Sequence, residues 1–341
     1  MKRSGRAVLF GMAVSCAVFA AEWGEAATPA ELSSRSGGAL PLPLSDPQNA
    51  GGWVYNEVVS DEFDGPEIDR DRWYVVGEFE NGRPVYRHPD KPDARVWKGR
   101  APSQFSGRNC RIENGRLILE ARWEPDFPFC EEIHTPVFGE PLAYENITTA
   151  CLISRKAFRY GYIEIRSKSA DAEVSSAFWA TGPGMEFDFF ESFGDGRDPG
   201  KEHLDRELWW SIRDWKRLKG QPTYTEHRDL GFRMADDFHV YGVEWDAGGV
   251  KYYVDGMLIS EVTAEEVRAW AREHRDVDDE YDGYVATVPI NLWLDMETFP
   301  WNGLPESLED LERNSPPEKK HDGVVEFVVD YVRVWQKTGT E

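Results

Sequence analysis

The run Glu186-Phe187-Asp188-Phe189-Phe190-Glu191 constrains this chain more than any other six residues in it. Side chains alternate between the two faces of an extended strand, so Glu186 and Asp188 point one way and Phe187 and Phe189 the other. The pattern then slips by one position, because strict alternation brings Phe190 rather than Glu191 to the carboxylate face. A β-bulge at Phe189-Phe190 absorbs the extra residue and returns Glu191 to the acidic side. Acids on one face and aromatics on the other describe a strand with one side in a core and one side open, as in an antiparallel sheet packed on a single face. Gly182-Pro183-Gly184 breaks the chain before the run, Gly194 and Gly196 follow it, and Trp179 lies close by, so the acidic face is expected to open into an aromatic-lined cleft.

No Lys or Arg lies within the run to neutralise its charge. Regular spacing sets the outer acids roughly 13 Å apart along the backbone. A twisted, bulged strand brings their heads closer, toward the roughly 5 to 5.5 Å that a retaining glycosidase needs. In that chemistry one carboxylate attacks the anomeric carbon, while a second, kept protonated by like-charged neighbours, protonates the leaving sugar and later activates water. The assignment is Glu186 as nucleophile and Glu191 as acid/base, with Asp188 between them coupling their titrations. The competing reading is an ordinary half-exposed strand in an acidic chain.

The run resembles the E-x-D-x-x-E signature of glycoside hydrolase family 16 in its bulge-containing form; the shorter E-x-D-x-E form belongs with lichenases and xyloglucan-active members. Asp61-Glu62-Phe63-Asp64, Tyr160-Gly161-Tyr162-Ile163-Glu164-Ile165-Arg166 and Asp330-Tyr331-Val332-Arg333-Val334-Trp335 agree in the expected order. The resemblance implies an all-β fold, a jelly-roll β-sandwich of two antiparallel sheets with the cleft on a concave sheet, and the same roles for the three acids. Many laminarinases carry Trp-Pro-Ala-x-Trp where this chain has Ser175-Ser176-Ala177-Phe178-Trp179. That segment looks more like the agarase, porphyranase and carrageenase branches. It implies a red-algal β-galactan of agar, porphyran, carrageenan or furcellaran type in preference to a β-1,3-glucan. The resemblance also implies a structural calcium site using an acid near Asp330 and backbone carbonyls; the chemistry itself requires no cofactor.

Three parts are expected along the chain: a signal peptide at 1–27, a linker at 28–51 and a catalytic domain at 52–337. The first is a basic start followed by a short apolar stretch and small residues; the second is rich in Ser, Gly, Pro and Leu without periodicity. A secreted, monomeric enzyme follows, with no membrane span. A net charge of −23 argues against nucleic acid partners. Cys110, Cys130 and Cys151 allow at most one disulfide within the exported chain, and none stands in a C-x-x-C pair. Strand and turn signals dominate past Trp53, with Asp255-Gly256 the clearest hairpin turn. Thr263-Ala264-Glu265-Glu266 forms a capping box that opens a helix, and a short helix is expected within 305–313.

Aromatic residues in surplus of a core suggest sugar stacking. Trp179 is expected beside the nucleophile, its alternative place being the core. Trp209, Trp210 and Trp215 follow, mixed with Arg213, Lys216, Arg217 and Lys219, a basic island able to hold sulfate groups or simply to face solvent. Glu297 and Trp301 are placed in a rim loop, against sugar hydroxyls and faces. No G-x-S-x-G or H-E-x-x-H occurs, so serine-hydrolase and zinc-protease readings lack a motif. The rival from another class is a lectin-like glycan-binding sandwich, and a transglycosylase shares the covalent intermediate.

Overall fold

Alternating residues such as Tyr162 to Arg166 build strands that send every second side chain, here Ile163 and Ile165, into one core shared by two large sheets. The structure, a computed structural model, describes residues 40–87, 96–134, 140–194, 200–215, 223–275 and 283–338. The larger sheet is ten-stranded. Met257–Thr263, Gly249–Val254 and His239–Asp246 form its meander; Gly161–Lys168, the long Val324–Lys337 and Leu117–Trp123 continue it. The meander turns where expected: Asp255 and Gly256 have φ of 48° and 77°, the left-handed pair of a type I′ turn.

The smaller sheet carries the acidic strand. Its members are β1 (Trp73–Val75), β2 (Cys151–Ser154), β3 (Ser175–Gly182), β4 (Met185–Phe193), β5 (Glu207–Asp214), β6 (Tyr224–Asp229) and β7 (Asn291–Asp295). They lie in the order β6-β5-β4-β3-β7-β2-β1, antiparallel throughout. Phe187 and Phe190 of β4 reach across to Trp245 and Tyr241 of the larger sheet, with ring centroids 6.1 and 4.9 Å apart. These contacts seal the interior and leave the other face of β4 to the acids.

The capping box is present: the Thr263 hydroxyl accepts from the Glu266 amide while the Glu266 carboxylate accepts from the Thr263 amide, opening α1 (Ala264–His274). In 305–313 the helix shrinks to Leu308–Leu311, capped by Ser307. Residues 40–51, read above as linker, are instead strapped to the larger sheet. The Leu44 amide donates to Glu164 Oε2 at 2.8 Å, and Trp335 Nε1 to the Pro41 carbonyl at 2.8 Å. The 1–27 leader and 28–39 lie outside the described residues. Cys110, Cys130 and Cys151 are all thiols, so the bridge that export would allow is not formed among them.

Among the described residues no helix is long and apolar enough to cross a membrane.

Candidate active site

The bulge expected at Phe189-Phe190 is built into β4. Against β3 the register runs Thr181↔Glu186, Trp179↔Asp188, then Phe178↔Phe190 and Ala177↔Glu191, skipping Phe189. Against β5 it runs Glu186↔Arg213, Asp188↔Ser211 and Glu191↔Trp209. Phe189 and Phe190 both turn inward, with centroids 5.1 and 6.2 Å from Phe178. All three acids therefore share the outward face. Cross-strand neighbours extend this face into rows: Asn291, Thr181, Glu186 and Arg213; Trp293, Trp179, Asp188 and Ser211; Asp295, Ala177, Glu191, Trp209 and His227.

The next strand supplies the counterion that the six-residue run lacks. Arg213 Nε lies 3.0 Å from Glu186 Oε1 and 3.0 Å from Asp188 Oδ2, and Nη2 lies 3.6 Å from Glu191 Oε2. Neighbouring nitrogens of one guanidinium thus touch both outer acids, which fixes the heads of Glu186 and Glu191 on one side of the sheet. The Ser211 hydroxyl also donates to Asp188, and Trp215 Nε1 donates to Glu186 Oε2 at 3.2 Å. Arg213 was expected to meet sulfate; with three carboxylates around it, its charge is already engaged and an anion there would be repelled.

Burial, reinforced by Asp188, pushes Glu186 well above the carboxylate range, and Arg213 pulls it back. Burial and then Asp188 raise Glu191 to about 7, again opposed by Arg213. The two acids cannot both ionise easily in so dry a place, so they hold a proton near neutrality. Glu186 accepts one hydrogen bond, from Trp215 Nε1, and lies 3.0 Å from Arg213 Nε, whereas Glu191 lies 3.6 Å from Arg213 Nη2. A donor favours the charged form, so the Trp215 bond works against the rise at Glu186.

Trp179 is 7 % exposed and stacks on Trp293, centroids 4.5 Å apart, while its Nε1 donates to Asp295 at 2.9 Å. Asp295 belongs to the row of Glu191 and is itself raised well above its normal range by burial and by Glu297. Trp209 lies on the acid face, stacked on His227 at 3.7 Å and near-parallel to Trp301 at 5.6 Å. Trp215 reaches the site directly through Glu186.

Trp210 does not belong with them. It is fully buried and stacked on Tyr252 at 4.3 Å, because adjacent strand residues face opposite ways and Trp209 takes the outward position. Glu297 is not a free rim acid either: Trp97 Nε1 donates to one oxygen at 2.5 Å and Arg100 Nη2 to the other at 3.2 Å, with the Arg100 guanidinium over the Phe299 ring. Lys216, Arg217 and Lys219 lie outside the described residues. Asp330 does not fit a calcium ligand: Arg116 Nε and Arg166 Nη1 hold its two oxygens at 3.1 and 2.6 Å, and a cation there would face two guanidiniums. Among the described residues no cluster of three or more acidic, His or Cys side chains is placed to hold a metal.

Asp295, Arg100, Trp97, Trp293 and Ser211 join the site without having been singled out. Asp295 has a readable signal, since Trp293, Asp295 and Glu297 share strand parity; Arg100 arrives on a loop and has none.

Residues 53–337 match the family model described as "Beta-porphyranase A-D, GH16 domain". The chain belongs to glycoside hydrolase family 16. Within that family it is 27% identical over 211 residues to β-porphyranase D of Zobellia galactanivorans, a match covering 57% of this chain and 44% of that protein, so it spans under half of that relative's length. It is 25% identical over 307 residues to β-porphyranase B of the same bacterium, covering 83% of this chain and 85% of the other. The solved structure of that porphyranase B covers 83% of this chain and 92% of its own, with a TM-score of 0.57 at 23% identity. The laminarinase catalytic domain of Thermotoga maritima gives 0.55 at 22% identity, covering 84% and 99%. Both structures share the family 16 jelly roll with this chain. The fold likeness does not separate their substrates.

Proposed function

We propose that this family 16 chain is a secreted, monomeric, endo-acting retaining β-glycosidase that cuts a red-algal β-galactan, porphyran first among them. The observation that carries the mechanism is the convergence of Glu186 and Glu191 on one guanidinium from a single bulged strand. Glu186, with Trp215 donating to one oxygen and the Arg213 cation beside the other, attacks the anomeric carbon; Glu191 gives its proton to the departing oxygen and then takes one from water. Asp188, held by Ser211 and Arg213, keeps like charge beside both and so keeps Glu191 protonated until the bond breaks. Nucleophile and proton both come from side chains, and no cofactor is needed. Trp209, with one face already on His227, and the near-parallel Trp301 bring aromatic surface to the side of Glu191, where a sugar could pack.

The galactan preference is supported by the porphyranase description of the matching family model and by the porphyranase relatives. A β-1,3-glucan is the second reading, favoured by a superposition on a laminarinase that is nearly as good, TM-score 0.55 against 0.57. A lectin-like role is disfavoured because a binding surface gains nothing from three crowded, desolvated acids.

Porphyran, agarose, carrageenans, furcellaran, laminarin and lichenan, scored for new reducing ends, test the assignment. New ends from porphyran that vanish in Glu186→Gln support it. Cleavage of laminarin alone overturns the galactan reading; binding without cleavage of any glycan, in the wild type, overturns the enzyme.

A further inference from the structure

We propose that Arg213 is a positioning residue for this reaction, a fixed countercharge that lets Glu186 stay ionised while Glu191 keeps its proton. The proposal rests on the roles given above to the two glutamates.

Its basis is placement. Arg213 stands directly opposite Glu186 in the β4–β5 register, with its side chain 14% exposed. Its Nε also lies 3.1 Å from the Ser211 hydroxyl, which itself donates to Asp188. The guanidinium is thus held from β5 by Ser211 and surrounded from β4 by Glu186, Asp188 and Glu191. Trp215, beyond it in the chain, occupies the remaining oxygen of Glu186. Farther off, the Arg100 charge also lowers Glu186 and Glu191, but Arg100 is paired with Glu297, and Asp295 and Glu297 add negative charge on that side.

A count of charge gives the consequence. Three carboxylates in a desolvated cleft resist carrying three charges, and protons bind until the repulsion is relieved. With one permanent cation among them, a single proton suffices, and it resides on Glu191. Take the cation away and a second proton is needed, on Glu186 or Asp188. A protonated Glu186 cannot attack the anomeric carbon. Arginine suits the task because it never deprotonates and its planar fork spans several oxygens at once, which a lysine point charge does not.

The test is the pH dependence of kcat/KM for wild type, Arg213→Met and Arg213→Lys on whichever polysaccharide the panel identifies. In Arg213→Met the acidic limb is expected to move up by about one pH unit or more, a tenfold loss on that limb, with KM at the optimum changed less than about threefold. Arg213→Lys is expected to shift the same limb in the same direction by about half as much. Unmoved limbs with KM raised about tenfold or more would make Arg213 a sugar or sulfate contact and overturn the proposal.

A second measurement needs neither activity nor the Met variant. Infrared difference titration of the carboxyl bands in wild type and Arg213→Lys, with Glu186→Gln and Glu191→Gln to identify the bands, should show the Glu186 carboxyl titrating at higher pH in the Lys variant, in the same direction as the acidic limb. Identical titrations in both proteins overturn the proposal. If Glu186→Gln and Glu191→Gln retain full activity, the catalytic assignment fails, and the titration still reports what Arg213 does to these carboxyls.

Discussion

Trp215 Nε1 donates to Glu186 Oε2 across 3.2 Å. A hydrogen bond to an ionised acceptor is worth about 1.5–3 kcal/mol, and this one supports the charged form of the proposed nucleophile. Trp215→Phe keeps the ring and removes the donor. It is expected to lower kcat roughly 10- to 100-fold with a smaller change in KM; steady-state kinetics decide, and an unchanged kcat counts against a role for this bond.

The basic limb of the rate profile should belong to Glu191. In the proposed mechanism its proton is needed in the first step, and its pKa is raised to about 7 by burial and Asp188, so kcat/KM is expected to fall as pH rises through that value. Asp188→Asn removes the like charge that helps hold the proton. The limb should then move to lower pH, by about one unit.

Stability should carry the same sign. A carboxyl raised in the folded state binds its proton more tightly there than in the unfolded chain, so its contribution is complete below the unfolded value and is lost as pH rises through the folded one. Glu191, raised from 4.5 to about 7, opens that window. Scanning calorimetry should show Tm falling between pH 5 and 8, and Glu191→Gln should flatten the decline by ~2 °C or more.

Trp209 and Trp210 should respond in opposite ways. Trp210, sealed against Tyr252, is expected to cost ~3–5 kcal/mol on Trp210→Ala, read as a large drop in Tm. Trp209→Ala should act mainly on KM, by about tenfold for a lost stacking face.

Metal removal should do little at Asp330. Its oxygens are occupied by Arg116 and Arg166, so a chelator is expected to leave Tm within ~1 °C, while Asp330→Asn lowers stability by about 1 kcal/mol through two weakened ion pairs. A chelator-induced drop of several degrees would restore the calcium reading.

What could be read from the chain was what is local. The bulge, the Asp255-Gly256 turn and the Thr263 capping box each depend on a few neighbouring residues, and each is present. Strand parity was also readable and was overlooked: Trp209 and Trp210 are adjacent on one strand and cannot share a face, whereas Trp209, Ser211, Arg213 and Trp215 keep the same parity. Cross-strand register was not readable. Nothing near Glu186 in the sequence announces that Arg213 will stand opposite it, or that Arg100 will reach Glu297 from nearly two hundred positions away. Residues 40–51 misled for a related reason, since their Pro- and Leu-rich, aperiodic composition is that of a linker while their anchors, Glu164 and Trp335, are distant in the chain.

Because the bulge turns Phe189 and Phe190 inward together, the strand that carries the two outer acids is seated by how two benzene rings nest against Phe178. A trimmed ring on that hidden side, touching no sugar, would slide a reactive group out of reach. The enzyme's rate is therefore tied to the shape of its oily interior, and variants with slow turnover are to be sought there as well as in the cleft.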